Sequence, residues 1–332
     1  MARRILQMIP VLFGVLIITF VLSRMMPGDP VLAQLPQQWT WEQYYAELHR
    51  LGLDRNIVIQ FFDYIGNLFL GNWGDSLAIN PGQEVWGLIW ERFPRTLDLT
   101  FFSMIIASFI GIKTGIISAT HRNKAKDTIT RGISLVGVSI PVFWLGLILQ
   151  LVFGYYLQLF PAVGFKTSYY EDPTPVTGFR IIDSLLSGEI FLILDYFIHL
   201  ALPVFALSFI TIASITRQTR SSMLEVLQQD YIRTARAKGC KERVVINKHA
   251  RKNALIPTVT VIGLNVGYLL GGAILTETTF NLNGIGDLLL RAITTADYYV
   301  LNGIVFLISL IFILVNLFTD MIYGYLDPRI KY

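Results

Sequence analysis

Six stretches of the chain are almost uninterrupted in apolar residues: about 5–26, 96–119, 132–160, 196–216, 256–279 and 300–326. A helix of about 20 apolar residues crosses the roughly 30 Å hydrocarbon core of a bilayer. The pattern therefore predicts an all-α polytopic membrane protein with six transmembrane helices. The third run is long enough to tilt or to extend past the bilayer. Between the first two runs lie about 68 residues, 27–94, containing Trp39, Trp41, Trp73, Trp86 and Trp90. That is too long for a simple turn and predicts a small ordered lobe. The segment 161–195 carries "EDPTPVTGF" and predicts a loop with a short helix near Ile182–Leu186. The segment 280–299, with "NLNGIGD" and "TTADYY", is rich in turn residues. The chain thus divides into a first helix (1–26), a lobe (27–94) and a core of five helices (95–332) that includes a polar loop at 217–255.

Composition agrees with this reading. Hydrophobic residues make up 53% of the 332 and charged residues only 15%, against about 25% charged in an average soluble domain. Charge then orients the spans, because loops on the cytoplasmic side are enriched in Lys and Arg. The N-terminus (Arg3, Arg4), the 120–131 loop, the 217–255 loop and the tail (Arg329, Lys331) hold 18 of the 27 basic residues, and the alternate segments hold seven. Both termini and the 217–255 loop are therefore expected in the cytoplasm, and the lobe outside. The first run also admits a second reading, as a signal peptide cleaved after "VLA", but it is longer than a typical signal core. Cys240 is the only cysteine, so no intrachain disulfide is expected.

Catalytic motifs are hard to find. "GIKTG" at 111–115 has the letters of a phosphate-binding loop without its spacing, and it lies inside a hydrophobic run. "LLSGE" at 185–189 resembles the start of an ATPase signature but falls on the outer side by charge counting. The four histidines are scattered, with no i, i+4 pair to hold a metal, and no G-x-S-x-G elbow is present. No catalytic residue, metal site or cofactor is expected in this chain. Ionisable residues within or beside the spans, Arg24, Asp98, Lys113, Asp195, His199, Glu277 and Asp320, lie near span ends and are expected to snorkel. Gln150 and Asn265 are deeper. They are the candidates for lining a translocation path, although a buried amide can equally well bond a neighbouring helix.

One basic island stands out. Between Asp230 and Lys252 fall eight Lys or Arg and two acids. Asp230 is expected as an N-cap, "YIRTARAK" as a short helix and Gly239 as its C-terminal stop. Tyr231, Ile232 and Ala235 should share one side of that helix. Three roles compete: contact with anionic lipid, nucleic-acid binding, which the lack of interleaved aromatics disfavours, and docking of a small-residue helix face into a groove of a cytoplasmic partner.

"TARAKG" with "HARKNALIP" resembles the EAA-type cytoplasmic loop of importer permeases of the ATP-binding cassette class, in the form found in the dipeptide/oligopeptide family. "RRILQMIPVLFGVLIITFVLSRMMPGDP" (3–30), "PVFWLGLILQLVFGYYLQLFPAVGF" (141–165), "GGAILTETTFNLNGIGDLLLRAITTADYYVLNG" (271–303) and the terminal "DPRI" (327–330) resemble further blocks of that family. The long segment after the first span resembles the B-type subunit. The resemblance implies the type I importer permease fold and half of a translocation pathway for peptides. It also implies a homologous C-type permease subunit, two cytoplasmic ATPase subunits that bind ATP and Mg, an extracytoplasmic substrate-binding protein and membrane lipid as partners, with no nucleic acid. It implies that Tyr231, Arg233, Thr234, Ala235, Arg236, Ala237 and Gly239 couple this chain to the ATPases. The chain departs from the general loop at Arg233 and Thr234, and Pro257 lies eighteen residues after Gly239 rather than thirteen. "FNLNGIG" and "ADYYV" also differ from the usual outer segments. Peptide and oligosaccharide therefore both remain open as cargo, and a standalone channel or membrane enzyme is the competing class.

Overall fold

A computed structural model describes residues 2–26 and 28–326. The "DPRI" block, with Arg329, and the following Lys331 lie outside the described residues. Fourteen α-helices follow in order: α1 (Ala2–Met25), α2 (Trp41–Arg50), α3 (Ile57–Phe69), α4 (Val85–Thr120), α5 (Ala125–Ser139), α6 (Val142–Leu149), α7 (Arg180–Leu186), α8 (Ile190–Val226), α9 (Asp230–Ala237), α10 (Glu242–Val244), α11 (Arg251–Gly272), α12 (Ile274–Phe280), α13 (Ile285–Thr294) and α14 (Tyr298–Leu326). No strand occurs among the described residues. Wider π-type turns follow α6 (Gln150–Tyr156) and α10 (Val245–Ala250).

Five helical stretches, within α1, α4, α8, α10–α11 and α14, are long and apolar enough to cross a membrane, and the α5–α6 pair makes a sixth if its two bent halves count as one span. That pair corrects the expectation of one continuous third span: the helix breaks and turns by 101°. Pro141 is the cause. It has no backbone N–H to give to the helix, and it pushes the residue before it out of the helical region; Ile140 accordingly sits at φ −88°, ψ 126°. The expected fifth span, 256–279, is likewise divided, with α11 ending at the Gly271–Gly272 pair and α12 starting at Ile274, because two adjacent glycines are poor helix formers.

The longest helices, α4 and α8, run parallel and form the spine, their contacts advancing together from Asp98–Tyr196 to Thr114–Thr216. Their contact is close because α4 presents glycine. A Cβ on Gly111 would come within 2.8 Å of Ile215, and one on Gly115 within 2.6 Å of Thr219. Leu99, Tyr196, Leu200, Leu207 and Phe280 fill the core at the lobe-side half of this pair. A second cluster packs Val85, Leu88 and Ile89 of α4 against Ile285, Leu288, Val300 and Ile304.

The lobe is built from α2, α3 and a tight turn. Thr40 and Gln43 exchange side-chain and backbone hydrogen bonds at the start of α2 (3.3 and 2.9 Å), a reciprocal cap that satisfies two otherwise free donors. The lobe ends at Glu84, since α4 begins at Val85 rather than near residue 95. Its fastening to the bundle is Asp297, which is 0% exposed. One carboxylate oxygen accepts the Ser76 hydroxyl at 2.6 Å and the backbone N–H groups of Leu77, Ala78 and Ile79 at 3.0–3.1 Å.

The 280–299 segment, expected as turns, contains α13. Its start is held by Glu277, 1% exposed, which accepts the Thr96 hydroxyl at 2.6 Å and the backbone N–H groups of Gly286 and Asp287 at 2.7 and 3.3 Å. Anionic groups are favoured at helix N-termini. Glu277 is therefore buried and bonded, not snorkelling. Asp98, Asp195 and His199 are buried as well; Asp98 accepts the Tyr196 hydroxyl at 3.0 Å, and Asp195 accepts the backbone N–H of Thr167 at 3.1 Å.

Candidate coupling site and solute path

The basic island lies at the end of the bundle opposite the lobe, where α4 and α5 meet and where α8 stops. Gln229, not Asp230, is the extended cap residue, and helix α9 begins at Asp230 itself. Ile232 and Ala235 face inward. They pack with Ala119 of α4, Met223 of α8 and Val245, Ala250 and Ala254 of the following segment. Tyr231 does not share that buried side as the spacing suggested. It is 42% exposed, and its hydroxyl accepts a hydrogen bond from the Asn253 side chain at 2.9 Å, tying α9 to α11.

This arrangement divides the seven sequence-predicted coupling residues. Ala235 is buried against its own chain, whereas Tyr231, Arg233, Thr234, Arg236, Ala237 and Gly239 are exposed. The small-residue face expected to meet a partner is thus partly used inside the molecule. What remains outward is Arg233, Thr234 and Ala237, with Gly239 at the end. Gly239 has φ +77° and no atom within 4 Å of the place a Cβ would occupy, so glycine is needed there for its backbone and not for space. Arg236 reaches across the turn to Glu242 at 2.7 and 3.2 Å, and this bond raises its pKa above the ordinary guanidinium value.

A second fastening lies beside α9. Asp127 at the start of α5 accepts both forks of Arg220 of α8 at 2.8 and 3.0 Å, the Ser118 hydroxyl at 2.6 Å and the Asn123 backbone N–H at 3.0 Å. The α4–α5 turn is thereby fixed to the same helix that leads into α9. Bidentate pairing makes the join directional as well as strong. Sequence reading missed this pair because its members lie 93 residues apart.

The two residues expected to line a path do other work. Gln150 donates from Nε2 to the carbonyls of Ala162 and Thr279 at 2.9 and 2.8 Å, stapling the π-turn after α6 to α12. Asn265 donates to Val261 within α11 at 2.8 Å. Neither lines the apolar cleft of about 970 Å³ that runs along α4 beside α11. Phe101, Met104, Ile105, Phe109 and Val266 border that cleft, and Lys113, Asn247 and Arg251 stand at its basic end. Phe101, Ile105 and Phe109 are well exposed. Their row marks an unpartnered apolar face of α4.

Comparison with known proteins matches this architecture. The family described as "Binding-protein-dependent transport system inner membrane component" matches residues 111–332, and its N-terminal companion matches residues 1–100. The chain is 46% identical to the Di/tripeptide transport system permease protein DppB of Pseudomonas aeruginosa, covering 100% of this chain and 98% of that one. It is 40% identical to the Dipeptide transport system permease protein DppB of Escherichia coli K12, covering 99% and 98%. Among solved structures, an inward-facing form of the MetNI methionine ABC transporter aligns with a TM-score of 0.55 at 18% identity, covering 73% of this chain and 97% of that one. That likeness identifies the fold as the importer permease type. With both family regions matched in order along its length, the chain belongs to the family of binding-protein-dependent transport system inner membrane components.

Proposed function

We propose that this chain is a permease subunit of an ATP-driven importer and forms half of the pathway for short peptides across the cytoplasmic membrane. The carrying observation is that its similarity to di/tripeptide and dipeptide permeases runs the full length of the chain, through the lobe and the α9 region alike. The other half is a homologous permease subunit that covers the exposed apolar row of α4. Two ATPase subunits bind ATP and Mg on the cytoplasmic side, and an external binding protein delivers solute to the lobe side. Both chain termini then lie in the cytoplasm, as the distribution of basic residues favours.

This chain's contribution is conformational. ATPase closure pushes on the outward side of α9, formed by Arg233, Thr234 and Ala237. The inward side, Ile232 and Ala235, passes the displacement to α4, α8 and the start of α11. Shifting a two-state bundle from 1:99 to 99:1 requires about 5.5 kcal/mol of differential binding, so α9 must transmit force without unseating. Reconstitution with the partner subunits in liposomes tests the reading, the expected result being ATP-dependent dipeptide uptake. Uptake of an oligosaccharide with no dipeptide uptake would overturn the cargo. Replacing residues 30–82 by a short linker, which spares α4, is expected to weaken binding-protein engagement at least about tenfold, measured by affinity for the assembled complex; unaltered affinity assigns the lobe another role.

A further inference from the structure

At the lobe end, α4, α7, α8 and the 165–178 segment enclose a cleft of about 470 Å³, within the size range of small-molecule pockets. Helix α4 contributes Glu91, Arg95 and Asp98, whose i, i+4, i+7 spacing puts them on one face. Arg95 lies over the Phe165 ring, 4.0 Å from its centroid, and donates to the Asn283 carbonyl at 3.0 Å. Arg180, in the first turn of α7, is only 8% exposed. It pairs with Asp172 through Nη1, while its Nε and Nη2 have no acceptor among the described residues.

Leaving N–H groups of a buried cation unbonded is costly. Nε and Nη2 are also the side-on pair with which a guanidinium grips a carboxylate in bidentate fashion. Asp98 lines the same cleft and accepts only the Tyr196 hydroxyl, on Oδ2, among the described residues. Its other oxygen is free to accept. Trp90, Phe165 and Tyr196 add aromatic surface to the same lining. A cation short of acceptors and an anion short of donors, in one cleft with aromatic sides, suit a ligand that carries both signs.

We propose that this cleft binds a short zwitterionic peptide, Arg180 taking its carboxylate and Asp98 its ammonium group. The assignment rests on the permease reading above and adds a solute station on this subunit, at the mouth of the pathway. The sequence signal was available in "ERFPRTLD" (91–98), which reads as a span flank until α7 closes over it.

The test uses the assembled transporter in phosphatidylcholine nanodiscs without binding protein, with dialanine, its C-terminal amide and N-acetyl-dialanine as probes. Wild type is expected to bind dialanine, and each blocked peptide about tenfold more weakly, the loss of one hydrogen bond to a charged group. Asp98→Asn keeps the side-chain shape and is expected to weaken dialanine binding about tenfold while leaving the affinity for N-acetyl-dialanine as it was. Arg180→Met should do the same with the amide as its unaffected probe. Absence of dialanine binding by wild type, or equal binding by wild type and Asp98→Asn, overturns the proposal. So does loss of dialanine binding in phosphatidylethanolamine discs, which would assign the cleft to a lipid headgroup. If any of these occurs while the complete system still takes up dipeptide on ATP addition, only the cleft is rejected; if wild type shows no such uptake, the permease reading is rejected with it.

Discussion

The turn at 76–79 and helix α9, at opposite ends of the bundle, are fastened in opposite ways, although the α4–α5 turn beside α9 has its own buried carboxylate, Asp127. At the lobe end, buried carboxylates accept several donors each: Asp297 holds the turn at 76–79 and Glu277 holds the start of α13. At the basic end, α9 rests on a small apolar cluster and is trimmed by solvent-exposed polar contacts, Tyr231–Asn253 and Arg236–Glu242. Bonds to a buried charge are directional and lost all at once, whereas apolar contacts tolerate small slides and exposed ion pairs are worth little. The lobe end is thus built to keep one geometry. Helix α9 is seated to move as a unit while staying attached.

The sharpest way to break this contrast is Asp297→Ala. It strands four donors around a buried carboxylate position and is expected to cost about 3 kcal/mol, read as a lower Tm in detergent and as new protease cleavage within 30–84. Asp297→Asn, which keeps one acceptor, should lose less. An Asp297→Ala protein with wild-type Tm would mean the lobe end is not held by this carboxylate.

Ile232→Ala comes next, at about 2 kcal/mol for a buried side chain cut back to methyl. Because the loss falls on the seat of α9, the expected signature is faster hydrogen exchange over 230–240, with ATP hydrolysis by the complex retained and uptake reduced. Uptake and hydrolysis falling in equal proportion would contradict the mechanical role.

Gly239→Val is expected to cost about 1–2 kcal/mol, because a β-branched residue resists positive φ, and to uncouple transport in the same manner. Since nothing crowds the missing Cβ, Gly239→Asn should behave nearly as wild type, asparagine being tolerant of the left-handed region. Two equally damaging substitutions would mean that space rather than backbone conformation matters there. The smallest effect is reserved for Arg236–Glu242. A double-mutant cycle with alanine should return about 0.2–1 kcal/mol, fading as salt is raised. A coupling well beyond that range would erase the proposed difference between the ends.

The spans were legible because lipid imposes length and apolarity on each of them separately, and Ile182–Leu186 and Gly239 were legible because caps and stops are local. The break at Pro141 was also written locally, but a strong hydrophobic run on both sides masked it. What could not be read were the carboxylates whose partners are remote. Asp297 bonds residues 218–221 positions away, and Asp127 and Arg220 are united only by the fold. Glu277 looked like a snorkelling acid because nothing in its neighbourhood announces that α13 will start beside it. For the coupling helix, sequence supplied the element and its end but misassigned its sides: Ile232 and Ala235 share one side as expected, but that side is packed inside the molecule rather than offered to a partner, and Tyr231 does not share it.

The Asp297 anchor also sets an order of events during synthesis. The turn at 76–79 leaves the ribosome long before the carboxylate that closes it. At about 5–20 residues per second the interval is roughly 10 to 45 s, during which four more spans must be inserted. The lobe cannot reach its final form before the last span begins to arrive. A nascent chain interrupted upstream of residue 297 would carry an unlatched lobe, a built-in mark of incompleteness.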